Sequence, residues 1–373
     1  MANLQENLER LKYVSNHPEK QLENYLKEGR QVIGTFPYYT PEVIADAAGI
    51  IPMGMWGAQT DISQARRYLV AFACPIMQSC MEMGLTGVYD GIKAVMIPAM
   101  CDTLRCVTQD FKLGIPNIEC IPFTYPQNRK IKAAVTYLTA EFQQIKERIE
   151  EIYGVKAEEE KIQQSIAVYN EHNAQMRRFA SLANLHLDLI TPIVRHEVFK
   201  SAWFMTKKEH LEIMKEVNEK LEKLPVYPFE GKRVVLTGIT AEPESFLKIL
   251  EDQHMAVVGD DLAQEMRQYR TDIPDGSDGV ERLALQWMER IDPMAHADEI
   301  ERVELLEGLL KDNDAQALIV CMMKFCDPEE YEFVAYNKYL KEKGYPVLSV
   351  DIDQQPSDYD QARTRIQTLA EML

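Results

Sequence analysis

Two Cys-Asp pairs, Cys101-Asp102 and Cys326-Asp327, each follow an apolar segment and precede a predicted helix. At a helix N-terminus, free backbone N–H groups and the positive end of the helix dipole favour a thiolate over a thiol. Cys74, in the string FACPIMQSC, also comes directly before a predicted helix. Because thiolates bind soft metals, these three cysteines predict a site for zinc or for an iron–sulfur cluster.

The other four cysteines are predicted to be core residues, since free cysteine is among the most buried residue types. They are Cys80, Cys106, Cys120 and Cys321. Their spacing from Cys74 and Cys101 matches neither a CxxC knuckle nor a compact ferredoxin motif. Burial as a small hydrophobe stays open for the first three cysteines too, so spacing alone supports only a thiolate site between two domains.

The elements that must position these cysteines are eight apolar strand patterns separated by helical ones, as in parallel βαβ units. The predicted strands are Val32–Phe36, Ile50–Met53, Val95–Met100, Ile118–Phe123, Val234–Ile239, Ala256–Asp260, Ala317–Met322 and Pro346–Asp353. The predicted fold is therefore α/β, with two Rossmann-like domains that have parallel sheets and are linked by a helical layer. Ligands of such sheets bind outside the carboxyl ends of the strands, which places the thiolate site in the cleft between the domains.

Three domains are predicted: 1–130, an N-terminal helix and the first α/β domain; 131–226, the helical layer; and 227–373, the second α/β domain. The helical layer is predicted from apolar residues that recur at intervals of three and four. In the first helix they are Ile131, Val135, Leu138, Phe142, Ile145, Ile149 and Ile152. Gly154 interrupts the pattern, and the YPFEGK segment at Tyr227–Lys232 is the predicted hinge.

The first and last domains follow a common plan in the sequence. VIGTF, TPEVIADAAG and IIPMGM in the first correspond to VVLTGI, EPESFLKILED and AVVGDD in the last. Thr40 is the expected N-cap of the first helix, Pro41 its first residue and Gly49 its end. Pro243 corresponds to Pro41 in the second copy.

Composition excludes several classes of function. The 373 residues include 41 Lys and Arg against 59 Asp and Glu, a formal charge of −18, which argues against nucleic acid as a partner. The N-terminal residues lack the apolar core of a secretory signal, and the least polar stretch, Ala47–Ala58, is too short to span a bilayer. A cytoplasmic protein without a disulfide framework or a membrane association is therefore expected.

Several strings resemble a known family. FACPIMQSC, PAMCDTLRC, DDLAQEMRQYRTDIP and CMMKFCDPEEYE are similar to the smaller, β-type subunit of the 2-hydroxyacyl-CoA dehydratases. This family shares a superfamily with the subunits of benzoyl-CoA reductase. The resemblance runs from about Gly34 to the C-terminus, and the lactoyl-CoA, 2-hydroxyisocaproyl-CoA and phenyllactoyl-CoA enzymes look nearest.

The resemblance implies a [4Fe-4S] cluster held by Cys74, Cys101 and Cys326, with one iron free of cysteine. It also implies a heterodimer with a homologous α subunit, and reduction by an ATP-dependent iron–sulfur activator protein. The implied reaction removes water from an (R)-2-hydroxyacyl-CoA substrate to give a 2-enoyl-CoA, through a ketyl radical formed after one-electron activation. Since substrate binds at the α cluster in this family, the present chain is expected to relay the electron. A bound flavin stays open.

An apolar shell that excludes water from the cluster is also expected. Its candidates are Phe72, Pro75, Met77, Met100, Met323 and Phe325. Basic residues that would contact CoA phosphates or the activator, or else form solvated surface, are Arg66, Arg67, Arg105, Arg129 and Lys130.

A functional loop or a polar cap is expected after the strand that ends at Asp260. Its charged residues are Asp260, Asp261, Glu265, Arg267 and Arg270. His186 and His196 lie in the helical layer and are expected to be structural.

The sequence thus favours the β subunit of an oxygen-sensitive 2-hydroxyacyl-CoA dehydratase of an anaerobic, amino-acid-fermenting metabolism. Three alternatives stay open. They are a non-catalytic electron-transfer subunit, a subunit of the benzoyl-CoA reductase type, and a zinc-binding or metal-free interaction protein.

Overall fold

The computed structural model describes residues 2–292, 299–354 and 359–373, and contains two four-stranded parallel sheets. The first sheet has the order β2-β1-β3-β4 and the second the order β6-β5-β7-β8. The strands are β1 Val32–Thr35, β2 Ile51–Gly54, β3 Ala94–Pro98, β4 Glu119–Phe123, β5 Lys232–Gly238, β6 Met255–Leu262, β7 Ala317–Met323 and β8 Val347–Ile352. All eight predicted strands are present with ends shifted by at most two residues, which confirms the α/β fold class.

Fourteen helices surround the sheets in the described residues. They are α1 Ala2–Asn16, α2 Pro18–Lys27, α3 Glu42–Ala47, α4 Pro75–Leu85, α5 Asp102–Gly114, α6 Lys132–Tyr153, α7 Glu159–Ala183, α8 Pro192–Ser201, α9 Lys207–Leu221, α10 Glu244–Asp252, α11 Gly279–Met288, α12 Glu299–Asp312, α13 Asp327–Glu342 and α14 Asp360–Met372. The central strands β3 and β7 are buried along their whole length, because helices cover both faces of each sheet.

The helices between β4 and β5 contact elements of both sheets. Helix α6 buries the predicted apolar stripe from Val135 to Ile149 and packs on β4 and α11. Helix α7 packs on α3, α9 and β6, and therefore joins elements of both α/β regions. Gly154, with a φ of 68°, ends α6 in the left-handed conformation that glycine adopts without strain.

The start of α3 differs by one residue from the sequence prediction. Pro41 is the N-cap rather than the first helical residue, and no side chain caps this helix, so Thr40 does not have the expected role. Pro243 is the N-cap of α10, which preserves the correspondence between the two copies. Gly49, with a φ of 77°, follows the end of α3 as expected.

Each sheet changes direction at its centre. The chain moves from β1 outward to β2 and then returns to place β3 on the other side of β1, and β5, β6 and β7 repeat this order. The β1/β3 and β5/β7 boundaries are therefore topological switch points, where α/β proteins bind their ligands.

One apolar core cluster includes residues of both sheets and of the helical layer. The Tyr227–Lys232 segment joins α9 to β5, while the three domain boundaries stay a prediction. In the ranges that the structure describes, no helix has both the length and the apolar composition needed to cross a membrane.

Candidate functional site

Three cysteines from distant parts of the chain line one pocket. Cys74 is the N-cap of α4, Cys101 the N-cap of α5 and Cys326 the N-cap of α13. Cys101 and Cys326 follow β3 and β7, and so lie at the carboxyl ends of the two central strands. The same pocket is lined by Tyr38, which follows β1, and by Ile239, which follows β5. It therefore lies where the switch points of the two sheets face each other.

Each of the three cysteines directly precedes the first residue of its helix, but only the Cys101 side chain accepts a capping hydrogen bond. The Leu104 N–H donates to Cys101 Sγ at 3.5 Å, which is the geometry of a side-chain N-cap. The backbone groups of Met77 and Glu329 lie three residues after Cys74 and Cys326, respectively. They lower the pKa of these two thiols.

The thiols are nevertheless not pre-ionised, contrary to the expectation from helix position. Burial raises the pKa of Cys74 to about 12, and also raises the pKa of Cys101 and, further, that of Cys326. Backbone N–H groups oppose this rise, but desolvation of a sulfur anion outweighs them. Coordination to a cation would supply the missing stabilisation, since metal-bound thiols are deprotonated.

The wall of the cysteine pocket is mainly apolar. Met77, Met100, Met323 and Phe325 line it, as the sequence predicted for the shell. Phe72 is 67% exposed and Pro75 is buried at the start of α4, and neither lines the pocket. An apolar wall limits access of water to whatever the three sulfurs hold.

The remaining cysteines lie outside this pocket. Cys80, Cys120 and Cys321 are buried as predicted, and Cys80 Sγ donates to the Met55 carbonyl oxygen at 3.1 Å. Cys106 is exposed on α5, so its assignment to the core is wrong. It lies on the solvent side of an amphipathic helix whose buried face includes Leu104 and Val107.

A buried network of charges lies behind the pocket. Arg267 and Arg302 both contact Asp261, and Arg267 Nη1 is 2.8 Å from Glu329 Oε1. Burial opposes ionisation of Asp261, but the surrounding guanidinium groups hold the pKa of its carboxyl well below the usual range. The carboxyl end of β6 and the turn after it therefore form a buried ion-pair network rather than a solvated polar cap.

The other acidic candidates of this region are also paired. Asp260 pairs with Arg195, and Glu265 accepts a hydrogen bond from His196. His186 and His196 are both buried, in agreement with structural roles.

Sequence reasoning missed four residues of this region: Tyr38, Asp292, Arg302 and Glu329. Tyr38 Oη donates to Asp292 Oδ1 at 3.1 Å, and Asp292 also accepts from Arg267. Only Glu329 carried a usable signal, because an acidic residue in the first turn of a helix beside Cys326 complements the helix dipole.

The basic candidates do not converge on the cysteine pocket. Arg129 is buried and pairs with Glu301, which also contacts Lys130 at 3.1 Å. Arg105 lies 3.5 Å from Asp102 on the surface of α5, and the side chains of Arg66 and Arg67 are exposed. None of the five lines the pocket that holds the cysteines.

Within the described residues, no group of three or more His, Cys, Asp or Glu side chains is arranged around a single metal ion. A [4Fe-4S] cluster does not require such a group, because each of its cysteine thiolates binds a different iron.

Comparison with known proteins identifies the family. The family model described as 2-hydroxyglutaryl-CoA dehydratase, D-component, matches residues 37–373. The chain belongs to this family. The (R)-phenyllactyl-CoA dehydratase beta subunit of Clostridium sporogenes is 40% identical over all of both chains. The lactoyl-CoA dehydratase subunit beta of Anaerotignum propionicum is also 40% identical over all of both chains.

A third relative is similar over almost the whole chain. The (R)-2-hydroxyglutaryl-CoA dehydratase, subunit beta, of Acidaminococcus fermentans is 36% identical over 98% of each chain. These three relatives therefore match the chain over nearly the whole of its length and of theirs.

Proposed function

We propose that this chain is the β subunit of an (R)-2-hydroxyacyl-CoA dehydratase, a hydro-lyase that converts its substrate to a 2-enoyl-CoA, and that it relays an electron through a [4Fe-4S] cluster. The observation that carries this proposal is the convergence of Cys74, Cys101 and Cys326 on one apolar pocket between the two sheets. Three relatives of full length are named as β subunits of such enzymes.

The residues present fit a cluster with three cysteine ligands. Each sulfur comes from a different helix N-terminus, where backbone N–H groups compensate part of the negative charge of a thiolate. Burial of the thiols disfavours free thiolates, so binding to iron supplies the charge that ionises them. When bound, the cluster supplies one-electron chemistry at a low potential, which the apolar wall helps to set.

The charge of the pocket favours the relay over direct substrate binding. Among the described residues that line it, none is basic, and Asp102 and Asp327 are acidic. The phosphates of a CoA thioester need Arg or Lys partners, which this pocket does not offer. The α subunit is therefore the proposed site of the acyl-CoA substrate, in the cytoplasm of an anaerobic organism.

Exposed apolar side chains near the cysteines support a protein partner. Phe325, directly before Cys326, is 48% exposed, while Tyr331 and Val334 on α13 are 82% and 70% exposed. Phe72, two residues before Cys74, is exposed as well. Large apolar side chains exposed around a site are typical of protein interfaces. We assign this surface to the α subunit, and the ATP-dependent activator is the proposed reductant of the complex.

Anaerobic purification followed by iron and acid-labile sulfide analysis tests the cluster. We expect both elements in the chain, with zinc or no metal contradicting the proposal. Visible and electron paramagnetic resonance spectra with added acyl-CoA then separate two roles, since a relay cluster does not respond to substrate when the chain is alone. Net reduction of an aromatic thioester by the complex would indicate a benzoyl-CoA reductase-type subunit instead.

A further inference from the structure

A second pocket lies between the first sheet, the helical layer and α11. Its walls carry seven aromatic side chains, which are Tyr39, Tyr125, Phe142, Tyr169, Trp203, Tyr269 and Trp287. The cavity between them has a volume of about 80 Å³. Concave sites lined by aromatic side chains and a few polar groups bind small molecules in many proteins. The segment after β1 separates it from the cysteine pocket, because Tyr38 lines one and Tyr39 the other.

Two residues that line this pocket each carry a buried hydrogen-bond donor with no partner among the described residues. The donors are Nη1 of Arg290 and Nε1 of Trp287, and the two residues are only 9% and 3% exposed. Trp287 belongs to the last turn of α11, and Arg290 follows two residues after the end of that helix. Buried polar atoms are nearly always hydrogen-bonded, so two unpaired donors in one pocket need an explanation.

Arg290 also has no carboxylate partner among the described residues, although the chain has an excess of acidic residues. Its guanidinium lies over the Tyr39 ring, with Cζ 4.1 Å from the ring centre. A cation–π contact compensates part of the lost hydration, but it satisfies no N–H group. The Asp292 carboxylate is near the same ring, but it accepts hydrogen bonds from Tyr38, Tyr39 and Arg267. A buried guanidinium that has no ion pair of its own is costly, so this arrangement favours an anion from solution.

The other polar side chains of the pocket already have partners. Lys207 lies 3.3 Å from Glu42 and donates to the Ala202 carbonyl oxygen at 2.7 Å. Gln286 donates to the Thr271 carbonyl oxygen at 2.7 Å. The pocket therefore offers one unpaired cation and one unpaired neutral donor, with aromatic rings around them.

From this geometry, we propose that the pocket binds an organic monocarboxylate with an apolar or aromatic body, held by Arg290 and Trp287. One unpaired guanidinium matches one negative charge and offers a planar fork to a carboxylate. The indole N–H donates to the same anion, and the aromatic walls cover the body of the ligand. A dianionic phosphate fits less well, because the acidic Glu42 is on the same wall and no second cation is free.

Calorimetric titration of the full-length chain tests this site with phenylacetate, its neutral isostere phenylacetamide and inorganic phosphate. We expect phenylacetate to bind, the amide to bind at least about tenfold more weakly, and phosphate not to compete, because the charge-assisted hydrogen bonds need a carboxylate. Equal binding of the amide, or binding of phosphate in place of phenylacetate, would overturn the proposal, as would the absence of phenylacetate binding.

Variants identify the pocket as the site. Arg290→Gln is expected to weaken phenylacetate binding by at least about tenfold, and Trp287→Phe, which keeps a ring but removes the N–H group, by a few-fold. Arg66→Gln, at an exposed arginine outside the pocket, is the matched control and should bind as the wild type does. Circular dichroism verifies folding, and if Arg290→Gln does not fold, Arg290→Lys and Trp287→Phe provide the comparison. Unchanged affinity in the folded variants would refute the assignment.

Discussion

Arg267 and Glu329 form a fully buried ion pair, with Arg267 Nη1 2.8 Å from Glu329 Oε1 and neither side chain more than 1% exposed. Arg267 lies after β6 and also contacts Asp292 at 3.0 Å. Glu329 lies in the first turn of α13, three residues after Cys326. The pair therefore ties the helix that presents Cys326 to the edge of the second sheet.

Glu329→Gln removes the negative charge while keeping the shape of the side chain. The positive charge of buried Arg267 is then balanced by one carboxylate fewer. We therefore expect the free energy of unfolding to fall by about 3 kcal/mol. Urea unfolding followed by circular dichroism measures the change. Glu330→Gln, at the adjacent exposed residue, is the control and should alter stability by less than about 0.5 kcal/mol. Equal effects of the two substitutions would show that the buried pair contributes nothing.

Single substitutions of the three pocket cysteines test the proposed ligands. Cys74→Ala, Cys101→Ala and Cys326→Ala should each lose most of the bound iron and sulfide, because each thiolate holds a different iron. Cys120→Ala, in β4, should keep them, as should Cys106→Ala on the exposed face of α5. Elemental analysis after anaerobic purification gives the result. Loss of iron in Cys120→Ala together with its retention in Cys101→Ala would show that the ligands are wrongly assigned.

The strands and the positions of the cysteines at their ends followed from sequence pattern alone. Strands that are buried on both faces read as continuous apolar runs, so β3 and β7 were visible together with the cysteines after them. The meeting of Tyr38 with Asp292 had no such signal, because 254 residues separate them and only packing of the two halves brings them together.

The state of the thiols was the main error, and its cause is a competition between two effects. Helix position was evident from Cys101-Asp102, and the N–H groups do lower the pKa as expected. Burial is a tertiary property that a local string does not reveal, and for Cys74 it outweighs the helix. Cys106 was misassigned for a related reason, since residue type predicts burial only on average.

His196 predicts a pH dependence of stability. Burial alone lowers its pKa, but hydrogen bonds and charge from Glu242 and Glu265 outweigh burial and raise the pKa to about 9. A raised histidine pKa contributes stability that is complete below the unfolded value near 6.5 and is lost as pH rises through about 9. We therefore expect the free energy of unfolding to fall over this interval, by on the order of 1–3 kcal/mol.

Urea unfolding at a series of pH values measures this dependence. His196→Gln should flatten the profile between pH 6.5 and 9, whereas His17→Gln, at a half-exposed histidine of the surface, should preserve it. A profile of His196→Gln that falls as steeply as that of the wild type would assign the dependence to other groups.

Substitutions in the exposed apolar surface of α13 are expected to weaken association with the α subunit. Tyr331→Ser and Val334→Ser should weaken association with the α subunit, because both side chains lose apolar area that a partner would cover. Iron content of the isolated chain should not change, since neither residue lines the cysteine pocket. Sedimentation or size-exclusion of mixed subunits measures association. Tyr13→Ser on α1, also an exposed tyrosine, is the control, and equal weakening by it would remove the special role of α13.

Two glycines, one at a helix end and one inside a helix, test how backbone conformation affects stability. Gly154 ends α6 with a φ of 68°, so Gly154→Ala places a side chain in the left-handed region and should destabilise the chain by about 1 kcal/mol, although the space around it is open. Gly308 lies inside α12, where its φ is not positive and nothing would contact an added methyl group. Gly308→Ala should therefore stabilise the chain by about 0.5–1 kcal/mol, because alanine has the higher helix propensity and a smaller unfolded-state entropy. Urea unfolding of both variants measures the two signs, and the same sign for both would show that backbone conformation does not decide the outcome at these positions.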